Sequence, residues 1–271
     1  MKNVLITGAL GGMGKATCKL LTNLGYTVYG VDVGECNDFC GHKYFTANLC
    51  NLEDVIKVKE QIENECSNLD AIIHMAGIYR LDSLVEMSED EFVKIFNVNL
   101  FSVYRVNKTF IPLLKKGSKI IITSSELAPL DPLPFTGIYA ITKSAVEKYA
   151  YSLRMELNLL GIDVSIIRPG AVKTGLLSVS TTCLDRFCEK TTLYPCNAEK
   201  FKKIVNSVET KNISPEKIAK IAAKALSKKH PKYVYSINRN KLLRILSILP
   251  NKLQVKIIGK ILQTKKEDKN V

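Results

Sequence analysis

A tyrosine and a lysine four residues apart, Tyr139 and Lys143 in FTGIYAITKSAVEKYAY (135–151), are the pair whose types and spacing most directly suggest chemistry. Residues four apart on a helix lie one above the other on the same face, so the phenol and the ammonium would share one small volume. A free phenol has a pKa of about 10 and is a poor base near neutrality, but a neighbouring cation stabilises the phenolate and lowers that value. The pair therefore points to proton transfer. Upstream, Ser124 and Ser125 close the apolar run SKIIITSS (118–125). A hydroxyl at the carboxyl edge of an open α/β sheet, where ligands bind, could polarise a carbonyl oxygen.

A second constellation sits at the other end of the chain. TGALGGMG places Gly8, Gly12 and Gly14 between an apolar run and a helical pattern. Missing side chains there would let backbone N–H groups and the helix dipole reach a pyrophosphate. Asp32 lies twenty residues beyond Gly12, at the end of the second apolar run. A carboxylate in that place accepts hydrogen bonds from the adenosine ribose hydroxyls and repels a 2′-phosphate. Val33 and Gly34 follow it rather than Arg or Lys, which favours NAD over NADP.

Taken together, these motifs resemble the short-chain dehydrogenase/reductase family over nearly the whole length. Its T-G-x3-G-x-G pattern stands here as Thr7, Gly8, Gly12 and Gly14, and its Y-x3-K as Tyr139 and Lys143. Its helix asparagine is Asn99 in NVNLFS, its strand-end serine Ser125 in TSSELA, and its later P-G motif Pro169 and Gly170 with Thr174 in RPGAVKTGLL. The resemblance implies Tyr139 as general acid/base, with Lys143 lowering its pKa and holding the nicotinamide ribose. It implies Ser125 orienting the substrate oxygen, Asn99 fixing a water that links Lys143 to solvent, and Thr174 holding the carboxamide. Met13, Asn48, Leu49, Ala76, Gly77 and Val172 complete the implied cofactor-binding set. Three departures stand out. His74 in HMAG replaces an asparagine that braces the sheet, Asn48 stands where an aspartate often faces the adenine, and Ser125 is fourteen residues before Tyr139, with Glu126 after it. The last leaves Ser124 as an alternative hydroxyl. His74 itself reads as a hydrogen-bonded core residue rather than a catalyst.

The elements that must position these residues alternate short apolar runs with helical patterns, as βα units of a parallel sheet do. Strands are expected at 3–7, 26–33, 43–47, 70–76, 118–125, 163–169 and 232–236. Helices are expected at 13–24, 52–66, 88–116 with Pro112 a kink or break, and 138–160, with another opening at Ser214 and Pro215. About nine residues between the second and third strands are too few for a crossover helix. The fold class is α/β: one Rossmann-like doubly wound parallel sheet of about seven strands, helices on both faces, and a C-terminal helical extension. Residues 1–271 form one NAD-binding domain, with a substrate loop over 176–213, where no clear periodicity is seen, and a basic amphipathic extension over 239–271.

Charge is uneven along the chain. The formal net charge is +13, and from Lys224 onward thirteen Lys or Arg stand against two acids, Glu267 and Asp268. In that extension Lys252, Lys256 and Lys260 repeat along one face and Leu253, Ile257, Ile261 and Leu262 along another. Such a helix packs on its own domain with a solvated lysine face, lies on an anionic membrane or covers an apolar pocket. Nucleic-acid binding is not expected, because the charge comes without interleaved aromatics or a reading motif. The eight cysteines are scattered, no apolar run is long enough to span a bilayer, and no metal site is expected. The chain reads as cytoplasmic, with peripheral contact at a membrane surface. Leu130, Phe135, Leu176 and Leu177 are candidates to line a pocket for a hydrophobic alcohol or ketone such as a hydroxysteroid, retinoid or fatty alcohol. The expected assembly is a homodimer or homotetramer. An NAD-sensing or membrane-recruited scaffold without turnover is the alternative function.

Overall fold

The structure, a computed structural model, describes residues 2–209 and 212–263, with the backbone alone described at 175–181 and 207–209. Seven parallel strands form one sheet: β1 (Lys2–Thr7), β2 (Tyr26–Asp32), β3 (Lys43–Thr46), β4 (Leu69–His74), β5 (Leu114–Thr123), β6 (Asp163–Pro169) and β7 (Val234–Ile237). Their order across the sheet is β3-β2-β1-β4-β5-β6-β7. The order reverses at β1, which pairs with β2 on one side and β4 on the other. Loops leaving neighbouring carboxyl ends diverge at such a point and leave a crevice.

The period of two along each buried strand decides which helices cover which face. Val4, Ile6, Ala71, Ile73, Ile121 and Ile167 pack against Cys18 and Leu21 of α1 (Gly12–Asn23) and Ile218 and Ala222 of α8 (Pro215–Ser227). Leu5 and Ile72 turn the other way, onto Val55, Val58 and Ile62 of α2 (Leu52–Glu63) and Val106 and Phe110 of α4 (Ser102–Phe110). Ile120, Ile122, Val164 and Ile166 extend that second face over Val146 and Ala150 of α5 (Gly137–Asn158). Each such aliphatic side chain, fully buried, contributes roughly 1.5–3 kcal/mol. The doubly wound sheet read from the sequence is thus the observed one, and the β2–β3 connection carries no helix.

Two regions differ from the sequence reading. The helix expected over 88–116 is three pieces: α3 (Glu89–Phe96), a five-residue π-helical turn (Asn97–Phe101) and α4. Beyond Phe110, Pro112 sits in a 3-10 turn (Ile111–Leu113) and β5 already begins at Leu114. Pro112 lacks the N–H that an α-helix would need, so the break falls there. The expected loop over 176–213 contains α6 (Gly175–Lys190) and α7 (Pro195–Glu209). Their sequences are rich in Ser, Thr and Lys, poor in an apolar stripe, and held by a few buried side chains: Leu184, Phe187, Ala198 and Phe201. Glu86 pins their junction, its Oε1 accepting from the amides of Thr192 (2.8 Å) and Leu193 (3.0 Å) and its Oε2 from the Thr191 hydroxyl (2.7 Å). Two further helices, α9 (Lys241–Leu246) and α10 (Asn251–Leu262), follow β7.

His74 is the core residue the sequence suggested. It is 2% exposed, and its Nε2 donates to Asn107 Oδ1 at 2.8 Å, while Asn107 Nδ2 donates to the Tyr149 hydroxyl at 3.1 Å. Burial pushes its pKa down to about 4, with the Asn107 bond acting the other way. The unfolded chain takes up this proton near pH 6.5 and the folded one only near pH 4, so between those values the unfolded state binds more protons. The stability contributed is complete above pH 6.5 and is lost as pH falls toward 4. Urea unfolding of the native protein should therefore lose about 2 kcal/mol more between pH 7 and pH 5 than that of a His74→Gln variant.

Candidate active site

The carboxyl ends of β1, β4, β5 and β6 meet along one edge, where Thr7 is in register with His74 and Thr123 with Ile167. α5 crosses that edge and delivers Tyr139 and Lys143 from one face. Lys143 is 4% exposed, and its Nζ donates to Thr123 O, the carbonyl at the end of β5, at 3.1 Å. The same Nζ lies 5.8 Å from the centre of the Tyr139 ring. Ser125 follows two residues after Thr123, and Leu127 N donates to its Oγ at 3.2 Å, which leaves its O–H free to donate toward Tyr139.

The expected depression of the Tyr139 pKa is corrected by the structure. Burial pushes the phenol up to about 12, and the Ser125 hydroxyl only partly offsets this. Burial likewise brings the Lys143 ammonium down to about 8. In the protein alone desolvation sets the direction of both shifts, since burial disfavours the charged form of each group. Tyr139 therefore rests protonated.

Asn99 falls in the π-helical turn, where the wider winding turns it inward to 1% exposure. Its Oδ1 accepts from Ile78 N at 2.8 Å, and its Nδ2 donates to Ile78 O (2.9 Å) and Thr142 Oγ1 (3.1 Å). Its nearness to Lys143 is fixed by Gly77: a Cβ there would stand 3.3 Å from Asn99 Oδ1 and 3.4 Å from Lys143 Nζ. The choice between the two serines is resolved by the structure. Ser124 Oγ donates to Glu147 Oε1 at 2.7 Å, and Glu147 is held by Arg168 through Nε (2.7 Å) and Nη2 (2.5 Å). Ser124 is thereby committed to the frame, and Ser125 is the hydroxyl beside Tyr139.

At the glycine turn the backbone itself demands the residue type. Gly8 has φ +70°, and a Cβ on it would lie 2.4 Å from Ala76 N; a Cβ on Gly14 would lie 1.9 Å from Gly8 O. α1 starts at Gly12 behind an N-cap, Gly11, that brings no side-chain cap, so its first amides face outward as donors for an anion. Asp32 is anchored beside the turn, Oδ2 accepting from Leu10 N (2.9 Å) and Oδ1 from Val33 N (2.8 Å). These features fit a dinucleotide: the turn and helix end would hold the pyrophosphate and Asp32 the adenosine ribose. Asn48 and Leu49 lie in the loop after β3, which is tied to β2 by Ala47 N donating to Asp32 O at 2.8 Å. Asn48 Oδ1 accepts from Cys50 N at 3.0 Å and Leu49 is buried. Thr7 closes β1, 1% exposed.

A cavity of about 250 Å³ lies at the catalytic end and reaches Met13 of α1, while Thr7, Gly8, Gly12, Gly14, Asp32, Asn48, Leu49 and Asn99 are not in its wall. Met13, Ala76, Gly77, Ser125, Tyr139, Lys143, Pro169, Gly170, Val172 and Thr174 all line it, as the sequence reading required of a shared site. Its apolar wall is different from the expected one. Phe135 instead packs on the rings of Phe187 (4.6 Å between centres) and Phe201 (5.5 Å), and Leu130 is not part of the wall. The side chains of Leu176 and Leu177 lie outside the described residues. Ile78, Tyr79, Leu133, Phe201, Ile204 and Leu243 form the wall instead. Phe201 and Ile204 belong to α7, inside the segment expected as a substrate loop, and Leu243 to α9, inside the extension for which covering an apolar pocket was one of the readings.

The extension packs on its own domain. Asn197 Nδ2 donates to Leu262 O (2.9 Å), Lys200 Nζ to Gln263 O (2.5 Å) and Gln254 Nε2 to Asp131 Oδ2 (2.9 Å). The inward side of α10 is Gln254, Ile258 and Leu262; of the expected stripe Leu262 is buried and Ile257 half-buried, while Leu253 and Ile261 are exposed.

Comparison with known proteins agrees with this geometry. The family described as short chain dehydrogenase matches residues 2–182. A 3-ketodihydrosphingosine reductase from Bacteroides thetaiotaomicron is 27% identical over 85% of this chain and 85% of its own. Estradiol 17-beta-dehydrogenase 2 from Mus musculus is 31% identical over 65% of this chain and 49% of its own. Among solved structures, a short chain dehydrogenase family protein from Francisella tularensis superposes with a TM-score of 0.73 at 25% identity, covering 88% of this chain and 97% of that one.

The two adjacent serines should separate in a mutational test. Ser124→Ala should cost about 1–2 kcal/mol in urea unfolding, because Glu147 loses a donor. Ser125→Ala should leave that stability nearly unchanged and lower turnover on any accepted substrate by roughly a hundredfold or more.

Proposed function

Because the chain belongs to the short chain dehydrogenase family of oxidoreductases, we propose that it interconverts a secondary alcohol and a ketone on a hydrophobic substrate, with NAD as the cofactor. The observation that carries this is the meeting of Ser125, Tyr139 and Lys143 in the wall of one largely apolar cavity at the carboxyl edge of the sheet. When bound, the nicotinamide supplies the hydride acceptor or donor. The chain's own groups manage the oxygen. Ser125 donates to the substrate oxygen and orients it. Tyr139, resting protonated, donates its proton to that oxygen in the reducing direction and accepts it back in the other, where the charge of an oxidised ring would add to that of Lys143. Lys143, fixed on Thr123 O, keeps a cation beside the phenol, and Asn99 Oδ1 retains a lone pair for a water next to it.

NAD is preferred because of Asp32, whose carboxylate is held in place by two amides. The lipophilic substrate class, hydroxysteroid, retinoid or fatty alcohol, rests on the apolar wall and on relatives named for estradiol and a sphingoid ketone. We place the protein in the cytoplasm and assemble it as a homodimer or homotetramer through the outer faces of α4, with the π-helical turn before it, and α5, where Phe101, Tyr104, Tyr151 and Met155 are exposed. Among the described residues no helix is long and apolar enough to cross a membrane. Peripheral contact is assigned to α9 and the turn after it, where Leu242 (71% exposed), Ile245 (60%) and Ile248 (80%) stand beside Lys241, Arg244 and Lys252.

A Tyr139→Phe variant should lose a thousandfold or more in turnover with reduced cofactor followed by absorbance. Calorimetric titration of the same variant should give an unchanged Kd for NAD, tighter than that for NADP. Turnover unaffected by the substitution would mean a binding scaffold instead, and tighter NADP binding would overturn the reading of Asp32. In sedimentation with vesicles, the protein should bind those containing phosphatidylserine, release them in high salt, and ignore purely zwitterionic ones.

A further inference from the structure

We infer that Glu126 is a specificity-determining residue: its carboxylate, set beside Ser125 in a mostly apolar cavity, receives a positively charged amino group carried close to the reacting carbon of an amphiphilic substrate. This rests on the oxidoreductase reading of the cavity and narrows its substrate class from neutral lipids to amino alcohols and amino ketones.

The geometry supports the role from several directions. Glu126 follows Ser125 in the chain and lines the same cavity. Its backbone is fixed, with Glu126 N donating to Pro169 O at 2.9 Å. Among the described residues its side chain is fixed at one oxygen, Oε2, which accepts from Asn240 N at 2.6 Å. The other oxygen, Oε1, lies 2.9 Å from where a Cβ on Gly170 would stand, and Gly170 also lines the cavity. The same Cβ would stand 1.9 Å from Asn238 O, so that carbonyl is what demands glycine at 170, and Glu126 Oε1 lies next to it.

The charge balance around the group is incomplete. Lys143, the only Lys, Arg or His in the lining among the described residues, has its Nζ on Thr123 O. Burial raises the pKa of Glu126, while the Asn240 amide and the charge of Arg239 act in the other direction. A carboxylate desolvated without a close counter-ion gains most from a ligand that brings one. A neutral substrate leaves it desolvated and unpaired, and that cost falls on the wrong substrate rather than the right one. The same residue also ties α9 to the loop after β5, since Asn240 caps α9 through its side-chain oxygen on Leu242 N (2.9 Å) and Leu243 N (3.3 Å). The test must separate recognition of charge from that tie.

Initial rates with NAD are measured on a long-chain 2-amino-3-alkanol, its N-acetyl derivative and the corresponding 3-alkanol. The native protein should favour the free amine over both neutral compounds by roughly tenfold or more in kcat/KM. Glu126→Gln keeps an acceptor for Asn240 N but removes the charge, so the amine-to-alkanol ratio should collapse toward one. Any cost of a loosened α9 falls on both substrates and leaves that ratio alone. An unchanged ratio in the variant, or a native protein that treats amine and N-acetyl amine alike, overturns the assignment of Glu126 while leaving the oxidoreductase reading intact. Absence of turnover on every alcohol and ketone tried overturns both. The comparison of amine with N-acetyl amine uses the native chain, so it decides the matter even if the variant does not fold.

Discussion

The site depends on one buried ammonium. Lys143 is almost completely withdrawn from water and held by a single carbonyl, Thr123 O, at the end of a central strand. That contact fixes the rotation of α5 against the sheet. With Lys143 docked on β5, the residue one turn earlier on the same face, Tyr139, must look into the crevice where the strand order reverses. Burial weakens the ammonium as an acid-base partner, drawing its pKa toward 8, yet keeps a positive charge where a phenolate would form. The arrangement trades stability for placement, as sites with buried charge generally do.

Sequence made the two ends of the site legible because their determinants are local. The spacing of the glycine turn is a local pattern, with Gly8 O against Gly14, even though Ala76 also demands the glycine at 8. The Tyr139 and Lys143 pair is a statement about one helix face. Even the helix-free link between β2 and β3 follows from its length alone. The carboxylate at Asp32 was readable from its spacing to the glycine turn, whose Leu10 amide donates to it alongside that of Val33.

What sequence did not disclose is set by contacts between distant segments. The π-helical turn that turns Asn99 inward looks like ordinary helix in NVNLF, and only the grip of Ile78 and Thr142 on its amide distinguishes it. α6 and α7 carry too many Ser, Thr and Lys residues for a clean periodicity; Glu86, more than a hundred residues upstream, fixes their junction. The pocket wall was misread for that reason. Phe135 is drawn into a ring cluster with Phe187 and Phe201, and residues of α7 and α9 take the place expected of it. Likewise the inward stripe of α10 is chosen by Asp131 and Asn197, partners that its own sequence does not contain.

The short run Ser124, Ser125, Glu126 shows how one strand end serves three purposes. Its backbone stays in the ladder, with Ser124 N donating to Ile167 O (2.8 Å) and Glu126 N to Pro169 O (2.9 Å), so its three side chains are held in fixed directions. Ser124 joins the Glu147 and Arg168 pair and braces β6 against α5. Ser125 is left to the phenol. Glu126 reaches across to Asn240 and couples the reacting oxygen's surroundings to α9, the helix whose Leu243 faces the cavity and whose Leu242 faces outward. A shift of α9 would therefore be felt at the residue next to Ser125, which makes α9 part of the cavity wall rather than a cover added to it.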